Sequence, residues 1–247
     1  MTGREKIKEY IDYFKAYGES RKKKDGIRFA GSKINDEEFI RQCLETAYHS
    51  AKRNCDGIDT ETLNKAFEQI KKEIHVGFFP TCKDFNELHE HCCEIFQDTV
   101  KDKNKKPYAY GIAQKVINLT FKYLYCHDEA KNYEDNFKDC HTVLDSYILK
   151  YYSIKDTSWT KLSEKDYDDI EETIKNQRKR TDGLTQFQEE FVAWPQLVMS
   201  ERLERLIKLI EEDGEDVKMM LNSELKIEEI KRLYENHKET LSSIFNK

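Results

Sequence analysis

Apolar residues recur at every third or fourth position along nearly the whole chain, while the alternating pattern of a β-strand is almost absent. Only 9 glycines and 3 prolines interrupt the 247 residues, so helical segments have room to form between them. A chain of this length is able to bury a substantial core. The sequence therefore predicts an all-α protein.

Composition and charge narrow the class of protein further. The N-terminus is charged without an apolar signal segment, and no apolar run reaches the length that crosses a bilayer. The seven cysteines are scattered without a C-x-x-C motif, which is typical of free thiols in a reducing compartment. We therefore expect a cytoplasmic protein without membrane contact. The net charge of −6 disfavours a general nucleic-acid-binding protein but leaves room for a local basic surface.

Helix start and stop signals divide the chain into segments. The predicted helices cover residues 4–18, 36–49, 60–76, 84–100, 111–125, a short stretch after Asp145, 164–180 and 184–194, followed by two charged amphipathic helices joined near Asp213-Gly214. Ser163-x-x-Asp166 matches a capping box, and Pro195 predicts the end of the helix before it. We expect one helical domain over residues 1–198 and a C-terminal helical extension over residues 199–247.

Two ionisable residues, Lys115 and Asp145, lie inside otherwise apolar segments. Lys115 follows Gly111-Ile-Ala-Gln at the head of a helix, and Asp145 follows Thr142-Val-Leu one helix further on. Burying a charge is costly unless it is paired, so the two side chains are expected to meet. An amine held beside a carboxylate in a desolvated place is a candidate nucleophile.

The order of these motifs resembles the helix–hairpin–helix DNA glycosylases, most closely their archaeal 8-oxoguanine glycosylase branch. The resemblance covers roughly residues 100–195. It is carried by Gln114-Lys115 at the head of an apolar helix, by Lys122 seven residues later, by Val143-Leu-Asp145 after a long connector, and by Glu190 four positions before Trp194. Against the family pattern, Tyr108-Ala-Tyr-Gly111 has one glycine where the hairpin usually has two, and Glu190 stands where an aspartate is expected.

The resemblance implies a monomeric DNA glycosylase with abasic-site lyase activity, acting on double-stranded DNA that carries a damaged or modified base, without a metal or cofactor. Lys115 would be the nucleophile and Asp145 its proton acceptor. Glu190, Trp194 and Lys122 would form the base pocket, and Lys122 would also favour the neutral amine of Lys115. A phosphate group of the DNA would be held by the Gly111 backbone and by the lysines of the preceding loop, Lys103, Lys105 and Lys106.

Three alternatives remain open from the sequence. The excised base is either oxidised guanine or a modified base of phage DNA removed in antiviral defence. The acidic net charge and the charged C-terminal helices instead favour a non-enzymatic helical interaction protein. The residues Cys82, His89, His91, Cys92 and Cys93 are of the types that bind zinc, although their spacing matches no common zinc site.

Overall fold

The computed structural model describes residues 2–20, 26–51, 58–102, 104–155, 157–178 and 183–212. Within these ranges the protein is all-helical, without a β-strand, which confirms the predicted fold class. The α-helices, in chain order, are α1 (Gly3–Lys6), α2 (Lys8–Ser20), α3 (Glu37–Ala51), α4 (Thr60–Phe78), α5 (Phe85–Thr99), α6 (Tyr110–Tyr125), α7 (Ser146–Tyr151), α8 (Glu164–Gln177) and α9 (Gln186–Glu212). A 3₁₀ segment covers Asp128–Phe137, and a 3₁₀ turn, named here the Trp159 turn, covers Trp159–Lys161.

Several helices begin where a short polar side chain caps their free backbone N–H groups. Asp59 accepts a hydrogen bond from Glu61 at the start of α4, and Asp84 accepts one from Glu87 at the start of α5. Ser163 and Asp166 form the predicted capping box at the start of α8, with each side chain bonded to the other residue's backbone N–H. These starts could be read from the sequence because each depends on residues two or three positions apart.

Helix α6 is the centre of the fold. It packs against α2, α3, α5 and α8 and against both 3₁₀ elements. All of its residues are buried except Lys115 and Leu119, which are partly exposed. A helix that is covered on every side is a core helix rather than an amphipathic one. The polar side chains among the buried residues of α6 are therefore held in a desolvated place, where they need partners.

The predicted stop at Pro195 is wrong, because α9 continues through this proline to Glu212. Proline removes one i→i−4 hydrogen bond and restricts the residue before it, yet the remaining hydrogen bonds of a long helix are able to continue on both sides. The predicted helix after Asp213-Gly214 lies outside the described residues.

The chain divides into two compact units, residues 1–191 and residues 192–247. The first unit contains α1 to α8 and the first turn of α9. The described part of the second unit is the rest of α9, up to Glu212. Among the described helices, none combines the length and the apolar character that a transmembrane span requires.

Candidate functional site

Lys115 and Asp145, which are 30 positions apart in the sequence, meet in the structure. The Lys115 Nζ lies 3.2 Å from Asp145 Oδ2. The side chains are 12% and 8% exposed, so the pair is largely withdrawn from solvent. Lys115 comes from the first half of α6, on the side that faces the start of α7. The predicted juxtaposition of an amine and a carboxylate is therefore present, and it lies at the edge of the core rather than in bulk water.

Asp145 is held in place by its second oxygen. Its Oδ1 accepts hydrogen bonds from the backbone N–H groups of Tyr147 (2.9 Å) and Ile148 (3.2 Å), so Asp145 is the N-cap of α7. The two carboxylate oxygens thus have separate partners: Oδ1 fixes the side chain to the backbone, and Oδ2 faces the Lys115 amine. A carboxylate fixed in this way is pre-oriented toward the lysine.

The segment that ends at Asp145, residues 142–145, is hydrogen-bonded to α6. Gln114 donates a hydrogen bond to the Leu144 carbonyl (2.9 Å) and accepts one from the Leu144 N–H (3.3 Å). One turn later, Asn118 donates to the Thr142 carbonyl (2.9 Å). These two buried amides bond backbone groups of a segment that has no secondary-structure partner of its own. They set the position of Asp145 relative to Lys115.

Lys122 and Glu190 form a second, fully buried ion pair. Lys122 Nζ lies 2.5 Å from Glu190 Oε1, and each side chain is 1% exposed. The ammonium also lies 4.0 Å from the Phe14 ring centre and 4.9 Å from that of Phe191. Burial raises the pKa of the Glu190 carboxyl, and the Lys122 ammonium and the Val143 N–H act against that rise.

The second oxygen of Glu190 is also bonded, because Oε2 accepts the Val143 N–H at 2.8 Å. Both oxygens of the carboxylate therefore have partners within the protein. In this conformation Lys122 and Glu190, the pair predicted for the base pocket, bind each other, and Glu190 also holds the segment that carries Asp145 through Val143. Trp194, the third predicted residue of that pocket, lies in α9 within the second unit.

Trp159 covers the Lys115 amine. Its ring centre lies 4.2 Å from Lys115 Nζ, in a cation–π arrangement. The Trp159 turn is fixed to the start of α6, where the Gly111 N–H donates to the Leu162 carbonyl at 3.1 Å. A Cβ on Gly111 would come to 1.7 Å from the Trp159 carbonyl oxygen, so only glycine allows this approach.

The predicted contacts to the DNA backbone have different outcomes. Gly111 is buried and its N–H is bonded to Leu162, so this backbone group has no donor to offer a phosphate in the observed conformation. Lys105 and Lys106 are exposed on a loop that Asp102 holds by accepting the Lys106 N–H at 2.8 Å. Lys103 lies outside the described residues. The exposed lysines remain candidates for phosphate contacts.

The rival set of cysteines and histidines does not converge. His89 Nε2 and Cys93 Sγ, one turn apart on α5, are 3.7 Å from each other and both residues are buried, whereas the His91 side chain is about half exposed. In the part of the chain that the structure describes, no group of three or more His, Cys, Asp or Glu residues is arranged to hold a metal ion. Burial raises the pKa of the Cys93 thiol, which keeps it protonated and poorly suited to metal binding.

A cleft of about 1010 Å³ lies in the first unit and is lined by residues of α5 and α8, by the segment 138–141 and by residues 183–186. Inside it, His141 Nδ1 lies 2.9 Å from the Tyr167 hydroxyl, and Gln186 donates to Glu171 at 2.7 Å. Burial lowers the pKa of His141 to about 4 and raises the pKa of Glu171 to about 8. The stretch 179–182, which connects α8 to the residues 183–186 of this wall, lies outside the described residues.

No protein-family model matches the chain, and no curated protein or solved structure matches it at a significant level.

Sequence reasoning missed the roles of three residues of this site. Gln114 and Asn118 hydrogen-bond the backbone of residues 142–144, and Trp159 covers the Lys115 amine. The first two carried a signal, because polar amides four positions apart on an apolar helix face require buried partners. Trp159 carried none, since it lies in a three-residue turn whose position depends on tertiary packing.

Proposed function

We propose that the protein is a DNA glycosylase and abasic-site lyase, in which Lys115 is the nucleophile and Asp145 is the proton acceptor. The observation that carries the proposal is the largely buried pair of Lys115 Nζ and Asp145 Oδ2 at 3.2 Å. A lysine amine held beside a fixed carboxylate is the arrangement that covalent catalysis at a sugar carbon requires. The order of motifs along residues 100–195 supports the same chemistry.

The reaction follows from the two groups. Asp145 accepts a proton from Lys115, and the Nζ lone pair forms a bond to C1′ of the extruded nucleotide. The bond between C1′ and the base breaks, and its electron pair leaves with the base, which takes up a proton. Opening of the sugar ring at O4′, which is protonated, gives a Schiff base between C1′ and Lys115. Loss of a C2′ proton then expels the 3′-phosphate by β-elimination, and water releases the lysine.

DNA that carries a damaged or modified base is the proposed substrate. Such a base is the easiest to extrude, because it is held least firmly in the stack. The exposed lysines 105, 106 and 161 supply positive charge that positions the duplex without reading its sequence. The proposed base is oxidised guanine or a modified base of phage DNA.

Borohydride trapping tests the proposal directly. Borohydride reduces a Schiff base to a stable amine, so wild-type protein is expected to form a covalent adduct with a duplex that contains a natural abasic site. Lys115→Gln should form none. The matched control is Lys150→Gln, which removes an exposed lysine from α7 and should leave the adduct intact. If wild-type protein forms no adduct, or if Lys115→Gln forms one as well, the lyase mechanism is wrong.

A non-enzymatic helical interaction protein is the second candidate. It is favoured by one observation: Asp145 already serves as the N-cap of α7, and Lys115 already packs on Trp159, so both residues have structural roles without any substrate. This candidate predicts no trapped adduct and no salt-dependent affinity for duplex DNA. A binding titration at two salt concentrations separates the two candidates, because phosphate contacts weaken steeply as salt rises.

A further inference from the structure

The chain has two tryptophans, and the structure brings the ring of Trp159 onto the Lys115 amine. Gly111 and Lys115 are one turn apart on α6 and therefore lie on the same face of the helix. The Trp159 turn rests on Gly111, which is why its indole reaches Lys115. The residue is partly exposed, so the indole forms part of the wall between the amine and solvent.

The chemistry of the proposed reaction places the base beside this ring. An attacked C1′ has to come within about 3–3.5 Å of the lysine nitrogen. The base is bonded directly to C1′, so it enters the immediate surroundings of Lys115 Nζ. Two side chains already occupy those surroundings: Asp145, which is fixed by its cap, and Trp159, whose ring centre is 4.2 Å away. Trp159 is the aromatic surface that the entering nucleotide meets.

We propose that Trp159 is the stacking platform for the extruded base and that Gly111 serves to seat it there. The inference rests on the proposed function and deepens it, because it names the residue that binds the base. It replaces the expectation that Trp194 stacks on the base and that Gly111 binds a phosphate. The exposed Lys161, two residues after Trp159 on the same turn, contacts the phosphate backbone beside the extruded nucleotide.

The test compares two duplexes that differ only in the presence of a base. One duplex carries a stable tetrahydrofuran abasic analogue, and a set of matching duplexes carries 8-oxoguanine, 5-hydroxymethyluracil or glucosylated 5-hydroxymethylcytosine at the same position. Dissociation constants are measured by fluorescence anisotropy for wild type, Trp159→Leu and Trp159→Phe. Leucine keeps an apolar cover over Lys115 without an aromatic face, whereas phenylalanine keeps the aromatic face. Thr160→Ala, in the same turn, is the local control.

At least one base-bearing duplex is expected to bind wild-type protein more tightly than the abasic analogue. Trp159→Leu should weaken that duplex by about 5- to 150-fold, the range of one base–aromatic stack, and leave the abasic duplex within about 2-fold. Trp159→Phe should retain most of the affinity, and Thr160→Ala all of it. Circular dichroism and thermal unfolding confirm that each variant is folded.

Three results would overturn the inference. The first is an equal loss on both kinds of duplex, which would mean that Trp159 acts only by covering Lys115. The second is unchanged affinity in Trp159→Leu together with a loss in Trp194→Leu. The third is the absence of any base-bearing duplex that wild type prefers over the abasic one. Failure of the proposed function has a different sign: wild-type protein would form no Lys115-dependent borohydride adduct with a natural abasic site.

Discussion

The Lys122 ammonium lies 2.5 Å from the Glu190 carboxylate in a place where neither side chain is more than 1% exposed. Two charges in such a place are each expensive to desolvate, and their attraction offsets that cost only while both are present. The pair therefore affects stability asymmetrically: removing both charges is tolerated far better than removing one. Glu190 in addition accepts the Val143 N–H, which connects the pair to the segment before Asp145.

Lys122→Met is expected to destabilise the protein by about 3–5 kcal/mol, because Glu190 is then left buried without its counter-charge. Lys122→Met combined with Glu190→Gln should recover most of the loss, since the amide oxygen still accepts the Val143 N–H. Chemical denaturation measures both. Lys8→Met, from an exposed pair with Asp12 (side chains 73% and 56% exposed), is the control and should change stability by about 0.5 kcal/mol or less. Equal stability of wild type and Lys122→Met would contradict the expected role of the pair.

Asp145 has two roles that substitutions are able to separate. Asparagine caps helices as well as aspartate does but accepts no proton from Lys115, whereas alanine does neither. Asp145→Asn keeps the cap but removes the counter-charge of the largely buried Lys115, so it is expected to lose about 1–3 kcal/mol of stability and to lower the rate of base release by about 10²- to 10⁴-fold. Asp145→Ala should show the same loss of rate and lose about 0.5–2 kcal/mol more of stability, because the cap is then missing as well. Full activity in Asp145→Asn would remove Asp145 from the mechanism.

Gly111→Ala should displace the Trp159 turn. The new Cβ would lie 1.7 Å from the Trp159 carbonyl oxygen, which is backbone and has little freedom to move. We expect a loss of about 1–3 kcal/mol in unfolding free energy and the same weakening of base-bearing duplexes as in Trp159→Leu. Gly77→Ala is the matched control, because its Cβ meets the flexible end of Leu88 at 2.9 Å. Its stability should remain within about 1 kcal/mol of wild type, and a similar result for Gly111→Ala would show that the close approach is unimportant.

Stability should fall in mild acid, partly because of His141. Burial lowers the pKa of His141 to about 4, below its ordinary value of 6.5, so the unfolded chain takes up a proton before the folded one does. The contribution of His141 is complete above pH 6.5, declines as the pH falls toward 4, and amounts to at most about 3 kcal/mol. The neutral ring is held between Asn86 Oδ1 (2.7 Å) and the Tyr167 hydroxyl (2.9 Å).

Unfolding free energies measured between pH 4 and 7.5 test this expectation. His141→Gln should show a shallower decline than wild type across that window. His89 and His127, whose pKa values are also lowered by burial, contribute to the decline in both proteins. The difference between the two curves therefore isolates His141, and parallel curves would be evidence against its role.

Local signals predicted the helices well and the partners of buried charges less well. The capping box of Ser163 and Asp166 could be read from the letters, because it spans only three residues. The helix stop predicted at Pro195 also came from a local signal, and it is wrong, because α9 continues through the proline to Glu212. Lys122 and Glu190 were both assigned to a base pocket from the resemblance, and their pairing across 68 positions was not predicted. Pairing over such distances is decided by tertiary packing.

The residues of the candidate site were likewise predicted only in part. Lys115 and Asp145 were predicted together because both interrupt apolar segments, and that anomaly is visible in the sequence. The position of Trp159 and the contacts of Gly111 were not predicted, because both depend on the close approach of the Trp159 carbonyl oxygen to Gly111. Their positions follow from how that turn lies on α6, which has no signature in the residues around it.

The binding of residues 142–145 to α6 has a consequence for how this chain is able to vary. Thr142, Val143 and Leu144 are each held through their own backbone groups, by Asn118, Glu190 and Gln114 respectively. The register of the aspartate is therefore set locally and does not depend on the length of the loop that leads to it. Insertions between residues 126 and 141 should leave the aspartate in place, whereas one residue added or removed within 142–145 should move it out of reach of the amine.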